Sequence, residues 1–246
     1  MAKPSNKSPK ASGEKADGRE SKGARTRQMI KDAILALIGE RENPDITLEE
    51  VCARTGLTVG AFYFHFPSKE AAIREIVIDR LRSYFLNITE MPPQSSVFAE
   101  VYAIISHKLT ALQENPAAFR LPYQIIPTNW DVYMAWLEAR SSLIERLATT
   151  IARSRGHGQR AEGQDHLAAQ FLMAGLEGFL ENAFFGQDEM IKKIDLRPPM
   201  LARDLAILWH RAVTGAEPEP RLVREIMRAS GQTDEAPRIP RRGRSK

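Results

Sequence analysis

The stretch Thr47–Glu70 reads TLEEVCARTGLTVGAFYFHFPSKE, and its punctuation decides the fold. Thr47 with Glu50 fits a capping box, in which each side chain satisfies a backbone donor at a helix start. Gly56 tolerates the backbone angles that stop one helix before another begins. Thr58 is a good N-cap for a second, short helix. Pro67 lacks a backbone donor and biases Phe66 away from helical angles, so that helix ends after about two turns. Ser68 then caps a third helix, with Glu70 beside its positive dipole end. A helix, tight turn and short helix in this order form a unit suited to the DNA major groove.

Outward from this unit the periodicity is helical. Ile30, Ile34, Leu37 and Ile38 form one stripe, a helix from Arg27 to Ile38. A fourth helix is expected over 68–88, with Ile73, Ile76, Val77, Leu81, Phe85 and Ile88 inward, ended by Pro92-Pro93. Phe98, Val101, Tyr102, Ile105, Leu109 and Leu112 share the face of a fifth, with His107 nearly opposite and expected in solvent. Residues 117–126 form a shorter helical piece that Pro122 kinks or splits. A long helix follows over 129–154, ended by Gly156 and Gly158, with a core-like face of Tyr133, Trp136, Leu137, Ile144, Leu147 and Ile151. Leu167–Phe185 is apolar nearly all round and must be covered on every side. Leu201–Val213 is a last amphipathic helix, stopped by Gly215. No strand alternation or internal repeat is present. The expectation is an all-α chain of about nine helices, an N-terminal three-helix helix-turn-helix domain and a larger C-terminal helical domain. The domains are placed at 25–72 and 73–215, bridged by helix 4, with a C-terminal segment at 216–246.

At 246 residues the chain can bury a sizeable core. The net charge of +4 is permissive for nucleic acid. Cys52 is the one cysteine, so no internal disulfide forms, and it reads as a small buried hydrophobe of helix 2 rather than a redox sensor. No long apolar run suggests a membrane span, and the charged N-terminus is not a secretory signal, so a cytoplasmic setting is expected. Residues 1–24 are Lys, Ser, Gly and Ala rich and are expected to be disordered; through Arg27 they hold eight basic and three acidic residues. A second basic tail is expected over 236–246. Each tail reads either as a solvated segment or as an arm that binds phosphates or enters the minor groove.

The order of these motifs resembles the DNA-binding domain of the TetR (tetracycline-repressor) family of bacterial transcription regulators. The resemblance is carried by the Gly56 turn, the short second helix and Tyr63-Phe64-His65-Phe66-Pro67-Ser68-Lys69-Glu70, preceded by the helix from Arg27. It covers roughly residues 25–75; the remainder is similar to the family only in helix pattern and length.

Spacing divides the short helix. Phe62 and Phe66, with Val51 and Leu57, are expected to form the domain's small core. Thr58, Val59, Gly60, Ala61 and Phe64 are left outward or toward the groove. Gly60 costs about 1 kcal/mol against Ala in a helix, which close approach to DNA would offset; a tolerated surface glycine is the other reading. Val59 and Ala61 offer apolar contact suited to a thymine methyl, so base choice leans on Thr58, Thr47 and DNA shape. Tyr63, His65 and Lys69 each carry a donor for a phosphate oxygen, and the resemblance implies that role for all three.

A single short helix reads few base pairs, so a homodimer on a palindromic operator is expected. Its interface is placed on Leu167–Phe185 and Leu201–Val213. The first holds Ala174, Gly175, Gly178 and Ala183, and Glu177 and Glu181 are expected to pair with Arg203, His210 or Arg211. In the family it resembles, the last two helices pack as a four-helix bundle across the dimer axis. Tyr102, Phe119, Tyr123, Trp130, Tyr133, Met134, Trp136, Met173 and Phe179 are candidates for the wall of a small-molecule cavity, although an aromatic stripe at helical spacing also suits a plain core. The resemblance implies an effector there that shifts helix 4. The expected function is thus a regulator, a repressor, released from its operator by an apolar or aromatic ligand; the alternative is an architectural DNA-binding protein without one. The chain carries no phosphate loop, dinucleotide fingerprint, His-Glu-x-x-His, cysteine pair or Gly-x-Ser-x-Gly, so no enzyme, metal or cofactor is expected. His157 and His166 near Glu162 and Asp165 match no ligand pattern and read as a solvated loop.

Overall fold

A computed structural model describes residues 22–41, 45–158, 160–186, 190–191, 194 and 196–230. The two expected basic tails lie outside these residues, apart from 22–24, which already belong to the first helix. The described residues form ten α-helices and no strand: α1 Lys22–Arg41, α2 Leu48–Thr55, α3 Val59–His65, α4 Lys69–Glu90, α5 Val97–Glu114, α6 Pro116–Ile125, α7 Trp130–Ser154, α8 Gly163–Phe185, α9 Pro198–Thr214 and α10 Pro220–Ala229. A 3₁₀ turn, Ile126–Thr128, joins α6 to α7. The all-α expectation is met.

The caps are those the side chains call for. Thr47 Oγ1 accepts from the Glu50 amide at 3.2 Å, and the Glu50 carboxylate accepts from the Thr47 amide at 2.8 Å. Gly56 stands at φ 69°, the left-handed region that closes α2. Thr58 caps α3, Ser68 caps α4, Ser96 caps α5 and Asn129 caps α7. Phe66 is extended before Pro67, which ends α3.

Helices α1 and α10 differ most from expectation; α8 and α9 also begin earlier, at Gly163 and Pro198, so that Asp165 and His166 fall inside α8 rather than in a solvated loop. Helix α1 starts five residues before Arg27, because the Lys-Gly-Ala-Arg-Thr run continues its turns. Helix α10 falls in the expected C-terminal segment. Ten residues of mostly charged sequence give a weak helix signal, and its half-buried Leu222, Val223, Ile226 and Met227 are ordered by docking on the core. Pro122 lies inside α6 without splitting it.

Helix α4 packs on α7, α7 on α8, and α5 on α9, while α6 touches both α1 and α4. The six α4 residues expected inward are all buried. Fully buried Glu100 on α5 pairs with Arg146 on α7 and accepts from the Gln94 amide at 2.8 Å. Held this way, Arg146 donates to the carbonyls of Ile88, Thr89, Met91 and Pro92. The last carbonyls of a helix have no partner within it; here a guanidinium from another helix supplies one and fixes where α4 stops.

The loop between α7 and α8 is also built around a buried carboxylate. Asp165 accepts from Arg155 at 3.0 Å and the Glu162 amide at 3.0 Å, and lies 3.1 Å from His157 Nδ1. Burial pushes its pKa up, but those donors outweigh it and hold the carboxyl below its ordinary value. His166 instead reaches Glu145 at 2.7 Å.

Arg146→Ala leaves Glu100 as an uncompensated buried charge and is expected to cost about 3 kcal/mol or more, read by urea unfolding. Arg146→Met combined with Glu100→Leu is expected to cost less than the sum of the two single changes; strict additivity would show that the pair is not coupled.

Candidate nucleic-acid interface and interior cavity

The N-terminal head is organised by Arg27. Its guanidinium donates to the His65 carbonyl at the end of α3 and pairs with Glu75 of α4, the Nε to Oε1 contact being 3.0 Å. Its planar face lies 4.0 Å from the centre of the Phe66 ring. Lys31, one turn later on α1, reaches Glu75 at 3.2 Å and Asp79 at 2.7 Å. Glu75 is held below the ordinary carboxylate range, chiefly by its hydrogen bond from Arg27. Arg27, read from sequence as the end of a basic arm, therefore faces inward. Its place on the helix was the available signal: Ile30 and Ile34 on the same side are buried.

Around this hub the short helix divides as its spacing predicts. Phe62 and Phe66 are buried with ring centres 5.8 Å apart, Val51 is buried, and Leu57 packs half-buried against them. Thr58, Val59, Gly60 and Tyr63 are exposed, Ala61 is half-buried, and Phe64 is 86% exposed. His65 is half-buried with its ring edge-on to Phe64. Thr47 is exposed, its hydroxyl engaged in the α2 cap. The Lys69 ammonium donates to the Ile46 carbonyl at 2.6 Å, tying α4 to the segment before α2. Cys52 is buried, and burial with help from Glu49 raises its thiol pKa.

The larger domain holds a cavity of about 530 Å³, partly open to solvent, between α4, α5, α6, α7 and α8. Of the nine residues expected at such a wall, Phe119, Tyr123 and Trp136 line it. The other six require correction. Tyr102 is buried against Phe98, with its hydroxyl 3.1 Å from Ser230 Oγ. Met173 is core, and Phe179 packs against the core outside the wall. Trp130 is 70% exposed, Met134 is exposed, and Tyr133 stacks between Trp130 and Trp136. Periodicity identifies a helix's apolar stripe, but which residues along it meet a void depends on how neighbouring helices splay.

Polar residues complete the wall, and sequence reading placed none of them there. His107, expected in solvent, lines the cavity beside Tyr84, and burial lowers its pKa. Lys108 is buried among apolar neighbours, its ammonium 5.6 Å from the Tyr84 ring centre and 5.8 Å from that of Phe119. Burial pushes its pKa down, Glu177 opposes that, and Arg140 adds to it. Glu177 pairs with Lys108 at 3.8 Å and Arg140 at 3.3 Å, not with Arg203, His210 or Arg211. Arg203 pairs with Asp204 and Arg211 with Glu217 instead, and Glu181 is exposed. Burial raises the Tyr84 and Tyr123 phenols well above the ordinary range. The signal for Lys108 was its register: it stands four residues from both Ile104 and Leu112, on the buried face of α5.

Residues 30–76 match the family model described as bacterial regulatory proteins, tetR family. This head therefore carries the sequence pattern of the TetR-family DNA-binding domain. It is 34% identical over 64 residues to TtgW of Pseudomonas putida, described as an uncharacterized HTH-type transcriptional regulator. That match spans 26% of this chain and 48% of TtgW, about half the relative's length. The TetR-family fold extends through both domains. Salmonella enterica GusR superposes with a TM-score of 0.58 at 17% identity, over 80% of this chain and 98% of that one. A tetR-family regulatory protein from Rhodococcus RHA1 gives 0.58 at 19% identity, over 79% and 98%. FadR from Bacillus subtilis, solved in complex with stearoyl-CoA, gives 0.55 at 16% identity, over 77% and 99%. Family and fold neighbours are transcriptional regulators rather than enzymes.

Arg27→Lys keeps the charge of the hub but not its fork. Amide hydrogen exchange within α3 is expected to rise by roughly tenfold or more while overall helicity holds; unchanged exchange would mean that the other contacts suffice to fix α3.

Proposed function

We propose that this chain is a dimeric one-component transcriptional regulator, a repressor, that binds a palindromic operator and leaves it when a small ligand fills the cavity. The observation that carries the DNA part is the outer face of α3. It presents Val59, Gly60, Tyr63 and Phe64 to solvent from a helix held on its other side by buried Phe62 and Phe66. Val59, Ala61 and Phe64 supply apolar contact, Thr47 and Thr58 polar contact, and Gly60 room for close approach. Tyr63 and His65 donate to phosphates, as does Lys69 with the donors left beyond its bond to Ile46.

The dimer reading rests on α8. Ala169, Met173, Leu176 and Leu180 bury one side, while Leu167, Phe171, Ala174 and Gly175 leave an apolar stripe uncovered on the other; Phe171 is 75% exposed. Leu208 is exposed on α9. A Cβ built on Gly175 meets nothing within 4 Å, so a partner helix has close access there. A stripe of this kind, self-complementary about a two-fold axis, would pair the recognition helices on two half-sites.

Coupling follows from α4 and α6. Leu81, Tyr84 and Phe85 of α4 and Phe119, Pro122 and Tyr123 of α6 line the cavity, and α6 also touches α1 in the head. An occupant that displaces these walls would move the head with them. The cavity's aromatic walls favour an apolar or aromatic ligand, and the fold neighbour FadR binds an acyl compound, stearoyl-CoA. No helix among the described residues is long and apolar enough to cross a membrane, and the proposed setting is the cytoplasm.

Selection of bound fragments from random duplex DNA is expected to return a two-fold palindrome with half-sites a whole number of helical turns apart. Tyr63→Phe should weaken binding roughly fivefold without changing the selected sequence, and Phe171→Glu should sediment as a monomer and select no palindrome. Recovery of no motif would favour an architectural DNA-binding protein instead.

A further inference from the structure

A buried charge imbalance adjoins the cavity: Lys108 and Glu177 line it, and Arg140 pairs with Glu177 from outside the wall. Lys108, Arg140 and Glu177 are all strongly buried, with side-chain exposures of 4%, 8% and 12%. Two cations against one carboxylate leave a net positive charge in an apolar interior, which is unfavourable without a counter-ion. Their hydrogen bonding is also unfinished. Lys108 approaches Glu177 only to 3.8 Å, beyond hydrogen-bond range, and makes no hydrogen bond among the described residues. Glu177 Oε1 and the Arg140 Nε and Nη2 atoms are buried without a hydrogen-bond partner among them. Arg140 Nη1 donates to Gln170 Oε1 at 3.4 Å, and the guanidinium lies over the Trp136 ring at 4.4 Å.

We propose that the ligand of this cavity is an amphipathic monocarboxylate, its carboxylate taken by Lys108 and its apolar body lying against Tyr84, Phe119 and Trp136. The inference rests on the reading of the cavity as a ligand site. A cationic ligand would face the buried Lys108 ammonium in the wall, with Arg140 already on Glu177. A doubly charged head such as a phosphate monoester would exceed the one positive charge left after Glu177, whereas a single carboxylate matches it. The aromatic rings flanking the Lys108 ammonium place the apolar surface directly beside the charge, as an acid with a hydrocarbon or aryl body requires. Of the other charged wall groups, Glu114 and Glu181 are exposed to solvent, half-buried Arg80 offsets part of their charge, and burial favours the neutral form of His107.

The test is calorimetric titration of the full chain with octanoic, dodecanoic, hexadecanoic and hydrocinnamic acids, each paired with the primary alcohol of the same skeleton. At least one acid should bind roughly tenfold to hundredfold more tightly than its alcohol. Lys108→Met should abolish that preference while alcohol binding persists, which also shows that the variant is folded, and Lys108→Arg should keep it. Ala111→Trp, which fills the cavity from α5, should block both partners of each pair. Acid and alcohol binding equally in the unaltered protein, both blocked by Ala111→Trp, would overturn the carboxylate assignment and leave the cavity a ligand site. Binding untouched by Ala111→Trp, or no binding by any acid or alcohol, would overturn the assignment together with the reading of the cavity.

Discussion

One guanidinium holds the head of this molecule together. Arg27 on α1 reaches the last carbonyl of α3, a carboxylate on α4 and the face of Phe66 at once. A fork with a flat apolar face can do this where an ammonium cannot. The consequence is mechanical: α3 takes its orientation from α4 as much as from its own short turn. At its other end α4 is stopped by Arg146, which is aimed by buried Glu100. The helix is thus anchored near both ends by arginines from other helices. Between those anchors it contributes Leu81, Tyr84 and Phe85 to the cavity wall. Under the proposed function, displacement of this one rod would link a change in the wall to a change in the head.

Polar groups are used here in two opposite ways. In the head, at the end of α4 and where α7 meets α8, charges are matched: Arg27 with Glu75, Arg146 with Glu100, Asp165 with Arg155 and His157. Such networks fix geometry because breaking any one member strands another. Among buried Lys108, Arg140 and Glu177 the match fails by one positive charge, and donors remain unspent.

Much of the fold was legible because helix ends are written in local chemistry. Thr47 with Glu50, Gly56, Thr58, Pro67 and Ser68 mark α2, α3 and the start of α4 without reference to anything distant. The buried stripe of α4 followed from periodicity alone. Helix α10 was not legible, since its order comes from docking rather than from propensity. Arg27 looked like one more residue of a basic arm because its partners lie 38 and 48 positions away. The same limit applies to Glu177. Its interruption of an apolar helix was visible, but the cations that answer it come from α5 and α7, and periodicity does not say which helices face each other. Three of nine cavity residues were found for the same reason: an aromatic stripe shows what is apolar, not where helices part.

The central claim is that two copies of α3, each held by its Arg27 hub, read one duplex together. Hydroxyl-radical footprinting of the full chain on a short duplex tests it most directly. The account predicts two protected patches related by a two-fold axis and separated by a whole number of helical turns, with the groove between them open. Uniform protection along the duplex, or a single patch at saturating protein, would contradict it.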